Sequence, residues 1–101
     1  MEKNYEAIFI IKEIEDEKKV DEVIKKINNI ILAEKAEFTK KEKMGLKRLA
    51  YEIRGQKKGY YYLVNFKTID ENGKNTGKIS AKINTIEEVI KYIIIRMDDE
   101  K

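Results

Sequence analysis

The chain has 101 residues, 42% hydrophobic and 41% charged, enough apolar material for one modest core under a densely charged surface. Its 22 basic against 19 acidic side chains give a net charge of +3, which by itself implies no particular partner. Cysteine and histidine are both absent, which excludes disulfides, thiolate nucleophiles, histidine bases and most zinc sites, so no enzyme, metal, cofactor or small-molecule substrate is expected.

The opening residues, Met1 to Tyr5, lead straight into a strand-like run without a cleavable signal. No apolar stretch is long enough to span a bilayer. The expectation is a soluble cytoplasmic protein with no membrane partner, residues 1–101 forming one domain. Ala7 to Ile11, apolar, β-branched and flanked by charge, predicts a first strand. Asp16 then stands as an N-cap before Val20, Val23, Ile24, Ile27, Ile30 and Ile31, the spacing of one helix face, with the helix ending near Ala33. Lysines 18, 19, 25 and 26 fall off that stripe.

Residues 36–53 predict a long second strand, bent or bulged at Gly45 and alternating at Leu49, Tyr51 and Ile53. Gly55 to Gly59 has the length and composition of a hairpin turn, and Tyr60 to Phe66 is the strongest strand by propensity. Asp70 to Gly77 reads as a loop, and Ile79, Ile83 and Ile86 as a short second helix. Val89 to Met97 closes the order as a β-branched strand.

The order βαββαβ is the ferredoxin-like split βαβ pattern, an α+β fold with a four-stranded antiparallel sheet and two helices on one face. Right-handed crossovers put the first and third strands in the centre. Nothing else in the chain is available to cover the second face of the sheet. In the third strand Asn65 and Lys67 belong outside, so Tyr60, Tyr62, Val64 and Phe66 face the helices and Tyr61 and Leu63 face away. The same reasoning puts Glu6, Ile8, Ile10 and Lys12 on the open face, and Lys91 carries Ile93 and Ile95 with it. Ile8, Ile10, Leu63, Ile93 and Ile95 therefore form an expected aliphatic patch, the kind of surface that marks a protein partner.

Lys58-Gly59-Tyr60-Tyr61-Tyr62-Leu63 resembles the RNP1 signature of the RNA-recognition motif, on the matching strand of the matching fold. A stand-alone module binding single-stranded RNA is thus the alternative function. It would need Tyr60 and Tyr62 to face outward and stack bases; the alternation puts them inside.

A second resemblance spans nearly the whole chain. Tyr5-Glu6-Ala7-Ile8-Phe9-Ile10, then Gly45-Leu46-Lys47-Arg48-Leu49-Ala50-Tyr51 with Ile53, the hairpin strand from Gly59, and Val89 to Arg96 together resemble the bacterial small-subunit ribosomal protein S six family. The resemblance implies a non-catalytic structural protein of the small ribosomal subunit, a cytoplasmic ribosome constituent active in translation. It implies binding of small-subunit ribosomal RNA together with ribosomal protein S eighteen, and the aliphatic patch read from strand phase becomes the expected docking surface for that partner. By position, Lys3, Lys47, Arg48, Lys91 and Arg96 become the candidates for contacting phosphate, the two arginines through paired hydrogen bonds. The chain departs from the family's habit at Glu2-Lys3, where arginine is common, and at Glu52, where proline often stands. It also departs in the 70–77 segment and at Asn84, Ile86, Glu87 and Glu88, where basic residues are usual.

Overall fold

A computed structural model describes residues 2–69 and 73–97. The elements run β1 (Glu2–Lys12), α1 (Glu17–Ala33), β2 (Glu37–Ile53), β3 (Gln56–Ile69), α2 (Lys74–Ile83) and β4 (Val89–Arg96). The sheet order is β2-β3-β1-β4 with every pairing antiparallel, so the ferredoxin-like expectation holds and β1 and β3 are central.

The expected strand phases hold too. On the helix-covered face Tyr5, Ala7, Phe9 and Ile11 of β1 lie against Tyr62, Val64 and Phe66 of β3, all buried, with Tyr60 half-buried beside them. Helix α1 adds Val20, Val23, Ile27 and Ile31, and α2 adds Ile79 and Ile83. The Asp16 side chain accepts a hydrogen bond from the Lys18 backbone N–H at 2.9 Å, which satisfies one of the donors that a helix start leaves without an intrahelical partner.

β2 pairs with β3 in a register that breaks at three places, between Phe38 and Lys40, Lys43 and Gly45, and Arg48 and Ile53. The middle break is the expected bend. Gly45 has φ +87°, a conformation that costs an L-residue its Cβ clearance. The last break throws the end of β2 across the uncovered face, and that is a departure from expectation. Leu49 folds over Ile10 and Ile90 to make a second buried cluster, with Ile53 and Tyr61 packed against it.

Two further expectations are corrected. The hairpin turn is not Gly55 to Gly59 but the pair Arg54-Gly55, closed by Ile53 opposite Gln56. Both turn residues have positive φ, +50° and +78°, the geometry whose twist matches that of paired strands. Gly59 lies inside β3, buried, where a Cβ would stand 2.6 Å from Ile10 Cγ2 and 3.1 Å from the Ile11 carbonyl oxygen. It is glycine because the second cluster closes over it. The stretch read as a loop turns helical from Lys74, while residues 70–72 lie outside the described residues. Asn75 explains the early start: its Nδ2 donates to the Ile69 carbonyl at 2.6 Å and to Thr68 Oγ1 at 3.2 Å, tying the first turn of α2 to the end of β3.

Candidate functional site

The open face divides into two parts. Toward the chain's N-terminal end of β1, the register sets Leu63 of β3, Ile8 of β1 and Ile93 of β4 side by side, with Ile95 next along β4 opposite Glu6. Ile93 and Ile95 are 47% and 48% exposed, and Ile8 and Leu63 are half-buried. Four of the five expected patch residues therefore form one contiguous aliphatic surface. The fifth, Ile10, does not belong to it: at 8% exposure it is a core residue of the second cluster. Strand alternation correctly put Ile10 on this face, but the fold-back of β2 that covers it depends on a register break that alternation does not record.

Between the two parts runs a groove of about 240 Å³. Its floor is Ile8, Ile10 and Leu49, and its walls include Tyr51, Tyr61, Lys91 and Ile93. Lys91 Nζ donates to the Tyr51 hydroxyl at 2.8 Å, and Lys47 Nζ sits 5.9 Å from the centre of the Tyr61 ring. Two of the expected phosphate contacts thus share the open face, each held beside an aromatic ring of the groove wall whose negative face favours a cation. Arg48 does not join them. It pairs across the ladder with Lys58, one residue out of phase with Lys47, and so is aimed away from the groove.

Lys3 and Arg96 are elsewhere. Lys3 faces Thr68 across the ladder and Arg96 faces Tyr5, both in the phase of the helix-covered side and at the end of the sheet remote from the hairpin turn. Arg96 lines a shallow depression with Tyr5, Thr76, Gly77 and Ser80 at the start of α2. The five basic candidates thus occupy three locations.

Several features of the site carry no signal in the sequence. Asn65, on the open face beside Leu63, has a buried Oδ1 with no hydrogen-bond partner among the described residues. Tyr51 is 62% exposed, and its contact with Lys91 joins β2 to β4 across two intervening strands. At the exposed edge between α1 and β2, the Asp21 carboxylate accepts from Lys43 Nζ at 2.9 Å and holds that ammonium above its ordinary pKa, chiefly through this hydrogen bond. Tyr62 donates to Asn28 Oδ1 at 2.6 Å, and burial pushes its hydroxyl above the usual phenol value.

This last geometry removes the stacking module. Tyr62 is 2% exposed with its hydroxyl engaged below the sheet, and Tyr60 packs against the same core, its hydroxyl 3.4 Å from the Ile14 carbonyl. Neither ring offers a face to a base. Among the described residues no group of acidic side chains is arranged to hold a metal ion, and no helix is long and apolar enough to cross a membrane.

Comparison with known proteins agrees with this architecture. The family model described as Ribosomal protein S6 matches residues 4–96. The small ribosomal subunit protein bS6 of Desulforamulus reducens is 36% identical over 94 residues, covering 93% of this chain and 96% of that protein. Its counterpart in Moorella thermoacetica is 32% identical, covering 97% of each. A crystal structure of 30S ribosomal protein S6 from Thermotoga maritima superposes with a TM-score of 0.87 at 26% identity, over 96% of this chain and 89% of that one. A homoserine dehydrogenase from Thiobacillus denitrificans shares the fold alone, with a TM-score of 0.64 at 16% identity over 18% of its length. The chain belongs to the ribosomal protein S6 family of bacteria, and is a cytoplasmic, non-catalytic structural constituent of the small ribosomal subunit with a general role in binding ribosomal RNA.

Proposed function

We propose that the chain acts on ribosomal RNA jointly with ribosomal protein S eighteen, docking that protein on the aliphatic row Leu63, Ile8, Ile93 and Ile95. The observation that carries this reading is the exposure of Ile93 and Ile95 on a contiguous surface that no second layer covers among the described residues. Fully burying one aliphatic side chain is worth about 1.5–3 kcal/mol, so removing the remaining half of the exposure of each isoleucine is worth about 1 kcal/mol. Lys47 and Lys91 at the groove, with Arg48, Lys3 and Arg96 on their separate surfaces, would neutralise phosphates, which makes RNA binding dependent on salt. A double variant, Leu63→Ser with Ile93→Ser, tests the partner surface. It should lower affinity for ribosomal protein S eighteen by more than tenfold while the fold persists. Unchanged affinity would remove this row as the docking surface. Ile10→Ser is unsuitable for that purpose, since it would open the second cluster.

A further inference from the structure

We propose that the tip of the β2–β3 hairpin is a phosphate-gripping ribbon for structured RNA, adding Arg54, Lys57 and Lys58 to Arg48, with Lys47 on the opposite face of the same ribbon. It rests on the family's ribosomal RNA role and supplies a location for it. The twelve residues from Lys47 to Lys58 hold these five basic side chains and one acidic one, Glu52. That segment alone is therefore +4, whereas the rest of the chain, with 17 basic and 18 acidic residues, is −1. The net positive charge of the protein is thus carried by this one ribbon.

The structure gives three reasons to connect this charge with an anionic ligand. First, the tip is built by β2 and β3 alone: β1 makes its last pairing, Lys12 with Gly59, short of it. Second, the tip cations are all exposed and none forms an ion pair among the described residues, whereas lysines farther down the same hairpin do. Lys43 is held by Asp21, Lys40 by Glu42, and Lys67 lies within reach of Glu2 and Glu37. Third, Arg48 and Lys58 stand directly opposite each other on neighbouring strands. Like charges placed so are destabilising, and a local conflict of this kind is expected where a binding function overrides folding. A phosphate lying over both strands would relieve it. The ribbon is also firmly based, since Leu49 and Ile53 anchor β2 to the second cluster, so its cations are presented without ordering a loop.

The test compares the full-length chain with two variants of equal charge loss. The first is Arg54→Asn, Lys57→Gln, Lys58→Gln, in which asparagine tolerates the left-handed backbone at position 54. The second is Lys18→Gln, Lys19→Gln, Lys25→Gln on the exposed side of α1. Binding to a small-subunit ribosomal RNA transcript is measured between about 50 and 200 mM salt, with and without added ribosomal protein S eighteen. The tip variant should bind roughly tenfold more weakly at the lower salt and should lose roughly two units of the slope of log K against log salt. The α1 variant should stay within about twofold of the parent. A charge-keeping variant, Lys57→Arg with Lys58→Arg, should bind like the parent, and circular dichroism should show all of them folded. Equal losses in both triple variants would mean that only net charge matters and would overturn the proposal. So would a tip variant that binds RNA like the parent but loses a protein partner. A parent that binds the transcript neither alone nor with ribosomal protein S eighteen added would overturn the tip assignment, whereas binding that needs the added protein but is equally strong in the tip variant would overturn the tip assignment and leave the joint reading standing.

Discussion

Replacing Gly59 with alanine puts a methyl group where the second cluster has left no room. The added Cβ would lie 2.6 Å from Ile10 Cγ2 and 3.1 Å from the Ile11 carbonyl oxygen, with Leu49 Cδ2 at 3.6 Å. The closest neighbour cannot simply swing aside. Ile10 Cγ2 is attached directly to Cβ, so it moves only by turning χ1, which is stiff in β-branched residues, and Ile10 is already wedged against Leu49 and Ile90. The carbonyl belongs to the backbone of the central strand. Overpacking of this kind costs about 1–3 kcal/mol, which for a domain of this size lowers Tm by roughly 5–20 °C. Urea unfolding should show the same loss as a shift in midpoint with an unchanged slope. Two companion variants isolate the cause. Gly77→Ala, in α2 with nothing within 4 Å of the new Cβ, should stabilise by about 0.5–1 kcal/mol, because alanine is the better helix former. Combining Gly59→Ala with Ile10→Leu, which removes the offending branch, should cost less than the two changes separately. If Gly59→Ala unfolds at the parent's urea concentration, the close approach of β3 and the folded-back end of β2 is wrong.

Gly45→Val should destabilise although nothing crowds the site, because its φ of +87° disfavours any L-residue; a loss of about 1–2 kcal/mol or more is expected, and Gly45→Asn should recover part of it when urea midpoints are compared. Leu49→Ala should cost about 2 kcal/mol, the low end for a core leucine because its cluster is small, and amide hydrogen exchange should show the hairpin tip opening more readily than the rest of β3. Tyr62, whose pKa is raised by burial, contributes stability that is fully present below the unfolded phenol value of about 10 and is lost as pH rises through its folded pKa. Stability should accordingly fall more steeply above about pH 10 in the parent than in Tyr62→Phe, and parallel curves would place that hydroxyl in water.

Features written in local chemistry were legible in the sequence. Asp16 caps α1 because a carboxylate there can reach the backbone N–H two residues on, and the apolar period of 3.6 from Val20 to Ile31 chose the face that is buried. Alternation with Asn65 and Lys67 as guides put Tyr60 and Tyr62 under the helices, which argues against base stacking. Gly45 marked the bend because a strand at the sheet edge gains curvature from a residue with no Cβ. The aliphatic row was foreseeable for the same reason of phase, and Lys91 alone sufficed to orient β4 correctly. What escaped the sequence depends on contacts between distant residues. Gly59 looks like a turn glycine, and only the approach of Ile10 shows it to be a packing glycine, with the turn itself moved to Arg54-Gly55. Ile10 reads as an exposed residue until the register break after Arg48 folds Leu49 over it. Lys47 and Arg48 are neighbours in sequence, yet the pleat separates their directions, while Lys91, far from Lys47 in the chain, lines the groove whose wall residue Tyr61 lies beneath the Lys47 ammonium. Register is a relation between strands: residue types fix each strand's phase, but where a break in pairing falls, and what it brings together, is set by how the whole sheet packs.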